Sequence, residues 1–552
     1  MAHSPLNNPA KGDPRSEIGG QRSEGEGLRR GRRLGMVTLL LAAWGWRLAG
    51  LTSQSLWRDE VDSLRFAIRP MGQVLAAFTR PGENGPLYYL LLRPWLAAAG
   101  HSEYALRFPS VWLGALAIPL IFLWGEWLFG KRRHERQRVD AFTPGRKDAA
   151  DVDDVEGTMD DKRRAKWVAP TILHRLSPIV HFQNNAGVIA ALLLAVNPYH
   201  LWYSQEARMY ALVVALILFE LWQFKEAMEK GGWRPWAWWY AAVGLGFYIH
   251  VLAILALPVQ ALWLALTPAW RKRWRSALLA LALLILPYLP LIGWQWTLLT
   301  DINFRTGHAF IPLGRMLLTL VTVHIQGILP APGWAFAPPI FLLGGALLLP
   351  PLRKKPAALL STWWLLPPLL LYLLTLITPL FTDRYLIWTL PALVLMLTLG
   401  TQQVARRHRW LAAASLLLLT GFQLHQGWRQ MTTPIKPDLR AAAAYVSPRR
   451  GPNDLTLFLM PYIRFTYRYY DPGDYPWAEA PYANREPDAA LVPQRLEQLT
   501  RGYDGVWLVE SEAWFYDEEG LIHAWFDQRA DLADEAHFTH ADVFYYRFNR
   551  RE

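Results

Sequence analysis

The segment RRGRRLGMVTLLLAAWGWRLAGLTSQSLWRDEVDS, residues 29–63, carries both a membrane span and a charged cluster beside it. Arg29, Arg30, Arg32 and Arg33 precede an apolar run over 34–52. As a helix that run reaches about 28 Å, enough to cross a bilayer core. It is long for a signal peptide, and further apolar runs follow, so an uncleaved first helix with a cytoplasmic amino end is expected. The helix delivers Leu56–Ser63 to the outer membrane surface, with Asp59, Glu60 and Asp62 beside Arg58. Charge so close to hydrocarbon is costly and marks a functional site by default. The plainer alternative is an interfacial loop in which Asp59 caps a short amphipathic helix.

Similar apolar runs recur as far as residue 426 in a chain of 552 residues that is 52% hydrophobic, with 29 Trp and no Cys. That composition predicts a polytopic membrane protein. The formal charge of +12 sits largely in short clusters between runs, where it sets orientation, so no nucleic-acid partner is implied. Without cysteine there is neither a disulfide nor a thiolate metal site.

Basic connections at 131–138, 271–275, 353–355 and 406–409 are expected on the cytoplasmic side. Spans near 34–52, 105–129, 185–201, 207–225, 235–249, 251–268, 276–298, 335–352, 357–378, 384–404 and 409–426 satisfy them. The expected fold is an all-α polytopic membrane protein of about eleven transmembrane helices, with the carboxyl end outside. Residues 86–99 cover only ~21 Å and contain Arg93-Pro94, which suits an interfacial helix. Residues 312–330 carry Arg315, His324 and Gln326 and either dip in or lie flat.

The division expected is a disordered cytoplasmic tail (1–33), a membrane domain (34–430) with a cytoplasmic loop (131–184), and a small extracytoplasmic α/β domain (437–552). In the last, strand-like pieces at 454–460, 504–510 and 541–548 alternate with helical patterns near 438–446, 493–500 and 519–530. The acidic run from Asp148 to Asp161 reads as a solvated segment. No internal repeat is visible.

This topology gathers polar residues at the outer boundary: Asp59, Glu60 and Asp62; Arg80, Glu83 and Asn84; Arg107; His200, Gln205, Glu206, Arg208 and Tyr210; His250; and Asp383-Arg384-Tyr385. Each has a plain explanation, since arginines snorkel to headgroups and a lone His is usually packed. On a helix, Glu206 and Arg208 point to different faces, so Arg208 needs another partner, such as a lipid phosphate. No metal-ligand spacing, phosphate-cradling glycine loop or Ser-His-Asp order appears. Phosphate recognition by arginine, with one activated carboxylate, fits best.

Three blocks, LWRDEVDSLRFA (56–67), residues 83–130 and NAGVIAALLLAVNPYHLWYSQEARMYAL (185–212), resemble the bacterial GT-C-type membrane glycosyltransferases. The likeness is to the group related to protein O-mannosyltransferases and lipid A aminoarabinose transferases. FTDRYLIWTLPAL (381–393) and KPDLRAAAAYV (436–446) also fit. The resemblance implies that Asp59 is the general base and that Arg107 matters for activity or folding. Relatives often read His-Pro-Pro-Leu where this chain has Asn84-Gly85-Pro86-Leu87, and the 131–184 loop looks like an insertion.

The function so implied is transfer of a hexosyl or pentosyl group from a polyprenyl-phosphate carrier, on the extracytoplasmic side of the plasma membrane. The acceptor is a lipid, polysaccharide or protein hydroxyl. Asp59 and Glu60 are the expected catalytic pair, with Arg208 and Arg384 on the phosphate. Glu83, Asn84, Arg107, Gln205, Glu206, Tyr210, His250 and Tyr385 are expected to line the substrate site. No cofactor is assigned, and a divalent metal at Glu60 is left open. A transporter or flippase of lipid-linked sugars would use the same arginines without a base; the missing repeat and the one-sided charges favour the enzyme.

Overall fold

The computed structural model of the chain describes residues 34–78, 85–129, 185–300, 308–349, 354–485 and 488–548. The expected tail (1–33), the 131–184 loop and the site candidates Arg80, Glu83 and Asn84 lie outside the described residues.

A helix occupies each of the eleven places where the apolar runs predict one. In chain order the helices are α1 (Leu34–Leu48), α2 (Arg58–Ile68), α3 (Met71–Ala76), α4 (Pro86–Ala99), α5 (Glu103–Phe129), α6 (Ala186–Val196), α7 (Pro198–Ser204) and α8 (Tyr210–Glu229). They continue with α9 (Trp233–Ile249), α10 (Ala256–Leu266), α11 (Trp274–Leu283), α12 (Ile285–Thr300), α13 (Leu313–Gln326), α14 (Ala337–Leu348), α15 (Lys354–Thr375), α16 (Leu390–Arg407) and α17 (Arg409–Thr432). Among the described residues, four helical stretches are long and apolar enough to cross a membrane, or five if the bent pair α6–α7 counts as one span. The stretch Asp383–Arg407, which includes α16, is almost wholly buried and forms the centre of the bundle.

The 61° bend between α6 and α7 follows from Asn197-Pro198. Proline cannot donate to the preceding turn, while Asn197 caps the next helix by accepting from the His200 amide at 2.9 Å. The bend aims residues 205–209 back toward α2, where the Ala207 amide donates to Glu60 Oε1. Gly85 adopts a left-handed φ of 78°, and a Cβ there would stand 2.9 Å from the Ile249 carbonyl. A proline at Gly85, as in the His-Pro-Pro-Leu pattern, cannot take that φ, so this chain enters α4 by a turn of its own.

The carboxyl-terminal region is a five-stranded sheet, β1 (Asp454–Phe458), β2 (Trp477–Glu479), β3 (Gly505–Glu510), β4 (Ala530–Phe538) and β5 (Ala541–Phe548), in the order β2-β1-β3-β5-β4. The first two pairings are parallel and the last two antiparallel. Alternation along the central strands feeds two cores: Leu455, Leu457, Val506 and Leu508 on one face, Phe458, Trp507 and Val509 on the other. The helices α18 (Leu439–Val446), α19 (Ile463–Tyr470), α20 (Val492–Thr500) and α21 (Leu521–Asp527) cover the sheet. Helix α19 also seats the region on α2. Arg65 lies 3.3 Å from the Phe465 ring centroid, and the Leu56 amide donates to Tyr470 Oη at 2.6 Å.

Candidate active site

Asp59 and Glu60 fall in the first turn of α2, where carboxylates meet the positive end of the helix dipole. Asp59 makes no side-chain cap. Neighbours on a helix project about 100° apart, so the two acids have different surroundings.

Glu60 points inward and is fully buried. Its Oε1 accepts from Arg107 Nε at 2.8 Å and from the Ala207 amide at 3.0 Å. Its Oε2 accepts from Arg107 Nη2 and Lys436 Nζ, both at 2.8 Å. Burial alone would raise the Glu60 pKa; Arg107 and then Lys436 overcome it and hold the acid at about 2. A carboxylate offers about four lone-pair sites, and all four are taken. Glu60, expected beside Asp59 in a catalytic pair, thus has every lone-pair site occupied by a protein donor. Among the described residues, no cluster of three or more His, Asp or Glu is placed to hold one.

Arg107 is likewise engaged by protein groups on every nitrogen. Its remaining hydrogens go to the carbonyls of Leu51, Gln54 and Ser55 at 2.7–2.9 Å, fixing the loop that leads into α2. Gln205 donates to the carbonyls of Arg47 and Ala49 at 3.0 and 2.7 Å, bracing the end of α1. Asp62 pairs with Arg65 at 2.8 Å, His200 with Arg47 at 2.9 Å, and Asp383 accepts from Tyr199 Oη at 2.8 Å.

Asp59, unlike Glu60, remains partly accessible, its side chain 21% exposed. Its Oδ2 stands 3.1 Å from Arg384 Nη1 and 3.8 Å from Arg208 Nη2, and its own carbonyl accepts from Arg208 Nη1 at 3.2 Å. Residues 205–209 are not helical, so the helical argument that sends Arg208 to a lipid phosphate does not apply: its partner is Asp59. Burial disfavours the Arg208 charge, but the oxygens of Tyr89, Asp59 and Tyr210 hold its pKa above the ordinary value.

The Tyr210 ring lies about 6 Å from both guanidinium carbons, at 6.0 Å for Arg208 and 5.9 Å for Arg384. Trp57 flanks Arg384 at 5.5 Å. His250 stacks edge-on to Tyr385 at 5.1 Å and is buried. Among the described residues, Arg208 Nε, Arg384 Nε and both His250 ring nitrogens have no hydrogen-bond partner. Two guanidinium groups with donors to spare face one carboxylate. That is an anion-binding arrangement with a proton acceptor inside it.

Glu206 and Lys436 form the next layer. Lys436 Nζ is 3.5 Å from Glu206 Oε1, while Glu206 Oε2 is buried without a partner among the described residues. Burial raises the Glu206 pKa, with Lys436 opposing. Lys436 is not among the residues the sequence marks for the site. Its only sequence signal is membership in the KPDLR block, because nothing local turns a lysine after the last span back toward α2.

The architecture is that of the GT-C-type membrane glycosyltransferases, an integral multi-pass membrane class. ArnT from Cupriavidus metallidurans bound to undecaprenyl phosphate aligns over 93% of this chain and 98% of its own, at 14% identity and a TM-score of 0.53. Its apo structure aligns over 94% and 98%, at 13% identity and 0.56. Within the chain, residues 173–294 match the family described as dolichyl-phosphate-mannose-protein mannosyltransferase. Arabinofuranosyltransferase AftD from Mycobacteria aligns over 94% of this chain and 41% of its own, at 15% identity and a TM-score of 0.44. No curated protein matches the chain by sequence.

Proposed function

We propose that this protein transfers a hexosyl or pentosyl group from a polyprenyl-phosphate carrier to a hydroxyl of a lipid, glycan or protein, on the extracytoplasmic side of the membrane. The observation that carries the reading is Asp59 held between Arg208 and Arg384, each guanidinium with an unused buried Nε. Undecaprenyl phosphate, the molecule bound to ArnT, is a carrier of the class proposed.

In the reaction the acceptor oxygen attacks the anomeric carbon, and the bond from that carbon to the phosphate oxygen breaks. The electron pair leaves with the carrier phosphate, whose growing charge Arg208 and Arg384 stabilise. The acceptor hydroxyl proton passes to Asp59. Donor binding prepares the base: the phosphate competes for the arginines and frees Asp59 Oδ2 to face the acceptor. A phosphate leaving group needs no proton, so one carboxylate suffices. Glu60, Arg107 and Lys436 hold α2, and with it Asp59, in register.

Arg384→Ala is expected to weaken binding of labelled undecaprenyl phosphate to the purified protein. A lost hydrogen bond to a charged group costs about 1.5–3 kcal/mol, roughly ten- to a hundredfold in Kd. Arg208→Ala should act in the same direction and also slow turnover. Unchanged affinity in both variants would sink the assignment of the phosphate site.

Sidedness is testable because the chain has no cysteine background. A cysteine at Glu519, which is exposed, should react with an impermeant maleimide on intact cells. One at Lys272, also exposed, should react only after permeabilisation. The opposite labelling pattern overturns the orientation and the extracytoplasmic placement of residues 437–552.

A further inference from the structure

Between the outer ends of the helices and the carboxyl-terminal sheet lies a cavity of about 620 Å³. It is separate from the anion site but shares a wall with it. Trp57 lines the cavity and also flanks Arg384, and Tyr203 lines it while packing on Tyr210 at 5.0 Å. Trp202 and Trp514 add two more aromatic surfaces.

The polar lining is lopsided. Glu206, Glu510, Glu512 and Asp542 share the lining with one lysine, Lys436, which is already bound to Glu60 and Glu206; Glu510 also pairs with His523 at 3.0 Å, Glu512 accepts from Tyr462 Oη, and Asp542 pairs with His537 at 2.8 Å. Glu206 and Ser511 both line the cavity and are less than 5% exposed, and Glu206 Oε2 and Ser511 Oγ have no partner among the described residues. Leaving such atoms unpaired in a folded interior is costly, so a bound group that donates to them is the natural complement. The backbone points to the same place. Among the described residues, the two non-glycine residues with positive φ are Glu512 (54°) and His540 (50°), and both line this cavity. Strain of that kind concentrates where ligands are clamped.

A ligand matching this lining presents hydrogen-bond donors at its edges, apolar faces to the indoles, and no anionic group. Those are the properties of a saccharide without acidic substituents. We propose that the cavity holds the saccharide end of a glycan acceptor made of neutral or amino sugars. The inference rests on the function proposed above, with the carrier phosphate at Arg208 and Arg384, and assigns the acceptor to the opposite side of the Trp57–Tyr203 wall. Binding there anchors a part of the acceptor that does not react, and so holds the reacting hydroxyl toward Asp59.

The test uses the full-length protein in lipid nanodiscs, with the trisaccharides of glucosamine, glucose and galacturonic acid as probes and saturation-transfer NMR as the readout. The expected affinity order is glucosamine, then glucose, with galacturonate not binding. Trp514→Ala should weaken the first two on the order of fivefold or more. Glu512→Gln should weaken the glucosamine probe more than the glucose probe, a charge-specific change that general loosening of the loop does not produce. Both variants should bind undecaprenyl phosphate as the unaltered protein does. The proposal is overturned if no trisaccharide binds at about 1 mM, if galacturonate binds as well as glucosamine, if both variants leave saccharide affinity unchanged, or if undecaprenyl phosphate displaces the saccharide. Saccharide binding by a protein that does not bind undecaprenyl phosphate supports the cavity assignment while removing the donor site.

Discussion

Asp59→Asn is expected to lower turnover by roughly 10²–10⁴-fold, the usual worth of a general base. Donor affinity should hold steady or tighten. Asparagine keeps the size and hydrogen bonding of the side chain, so α2 and its contacts persist, but it cannot take the acceptor proton. It also removes the negative charge that occupies Arg384 at 3.1 Å and Arg208 at 3.8 Å, leaving both free for phosphate. The split is diagnostic, because misfolding would depress binding and turnover together. Product release and binding of labelled carrier, measured on one detergent preparation, give both numbers. Near-normal turnover in Asp59→Asn removes the base from the mechanism. Glu60 is already saturated and Asp62 is paired with Arg65, so the transporter reading would then gain ground.

Glu60→Ala should be the most destabilising single change at the outer face. Removing one partner from a buried ion pair typically costs about 3–5 kcal/mol, because the opposite charge is left uncompensated. Here two cations, Arg107 and Lys436, lose their counter-charge together. The expected result is a large drop in melting temperature and in the yield of folded protein. Glu60→Gln should lie between, and its surviving folded fraction should retain turnover. A Glu60→Gln protein with normal melting and no turnover would return Glu60 to the chemistry. The same pairing sets an acid limit. The folded-state pKa is depressed from 4.5 to about 2, so its stabilisation is full above the unfolded value and drains away as pH falls through that window. Thermal melts between those two values should show the loss, and Glu60→Gln should flatten it.

Much of this organisation is legible in the sequence because hydrophobic length is a local property. Any run of apolar residues long enough to span a bilayer must be helical there, and the basic clusters between runs orient them. That reasoning finds the eleven helical places and the short helix at 86–99. The strands β1, β3 and β5 are legible too, since they are the apolar ones. The polar edge strand β4, ADLADEAHF, is not, because edge strands carry charge by design. Neither is the three-residue β2.

The surroundings of the acids were decided only by the tertiary structure. Asp59 and Glu60 are adjacent and chemically alike, and nothing local separates them. The helical phase of α2 turns Glu60 into a pocket filled by Arg107, 47 residues away, and Lys436, 376 residues away, while Asp59 is left at the surface between Arg208 and Arg384. A charge is cheap to bury only where a distant partner meets it. That partner's position depends on how the bundle packs, so the sequence by itself determined which charges are present, and the packing decided which of them is enclosed by partners and which is left partly exposed.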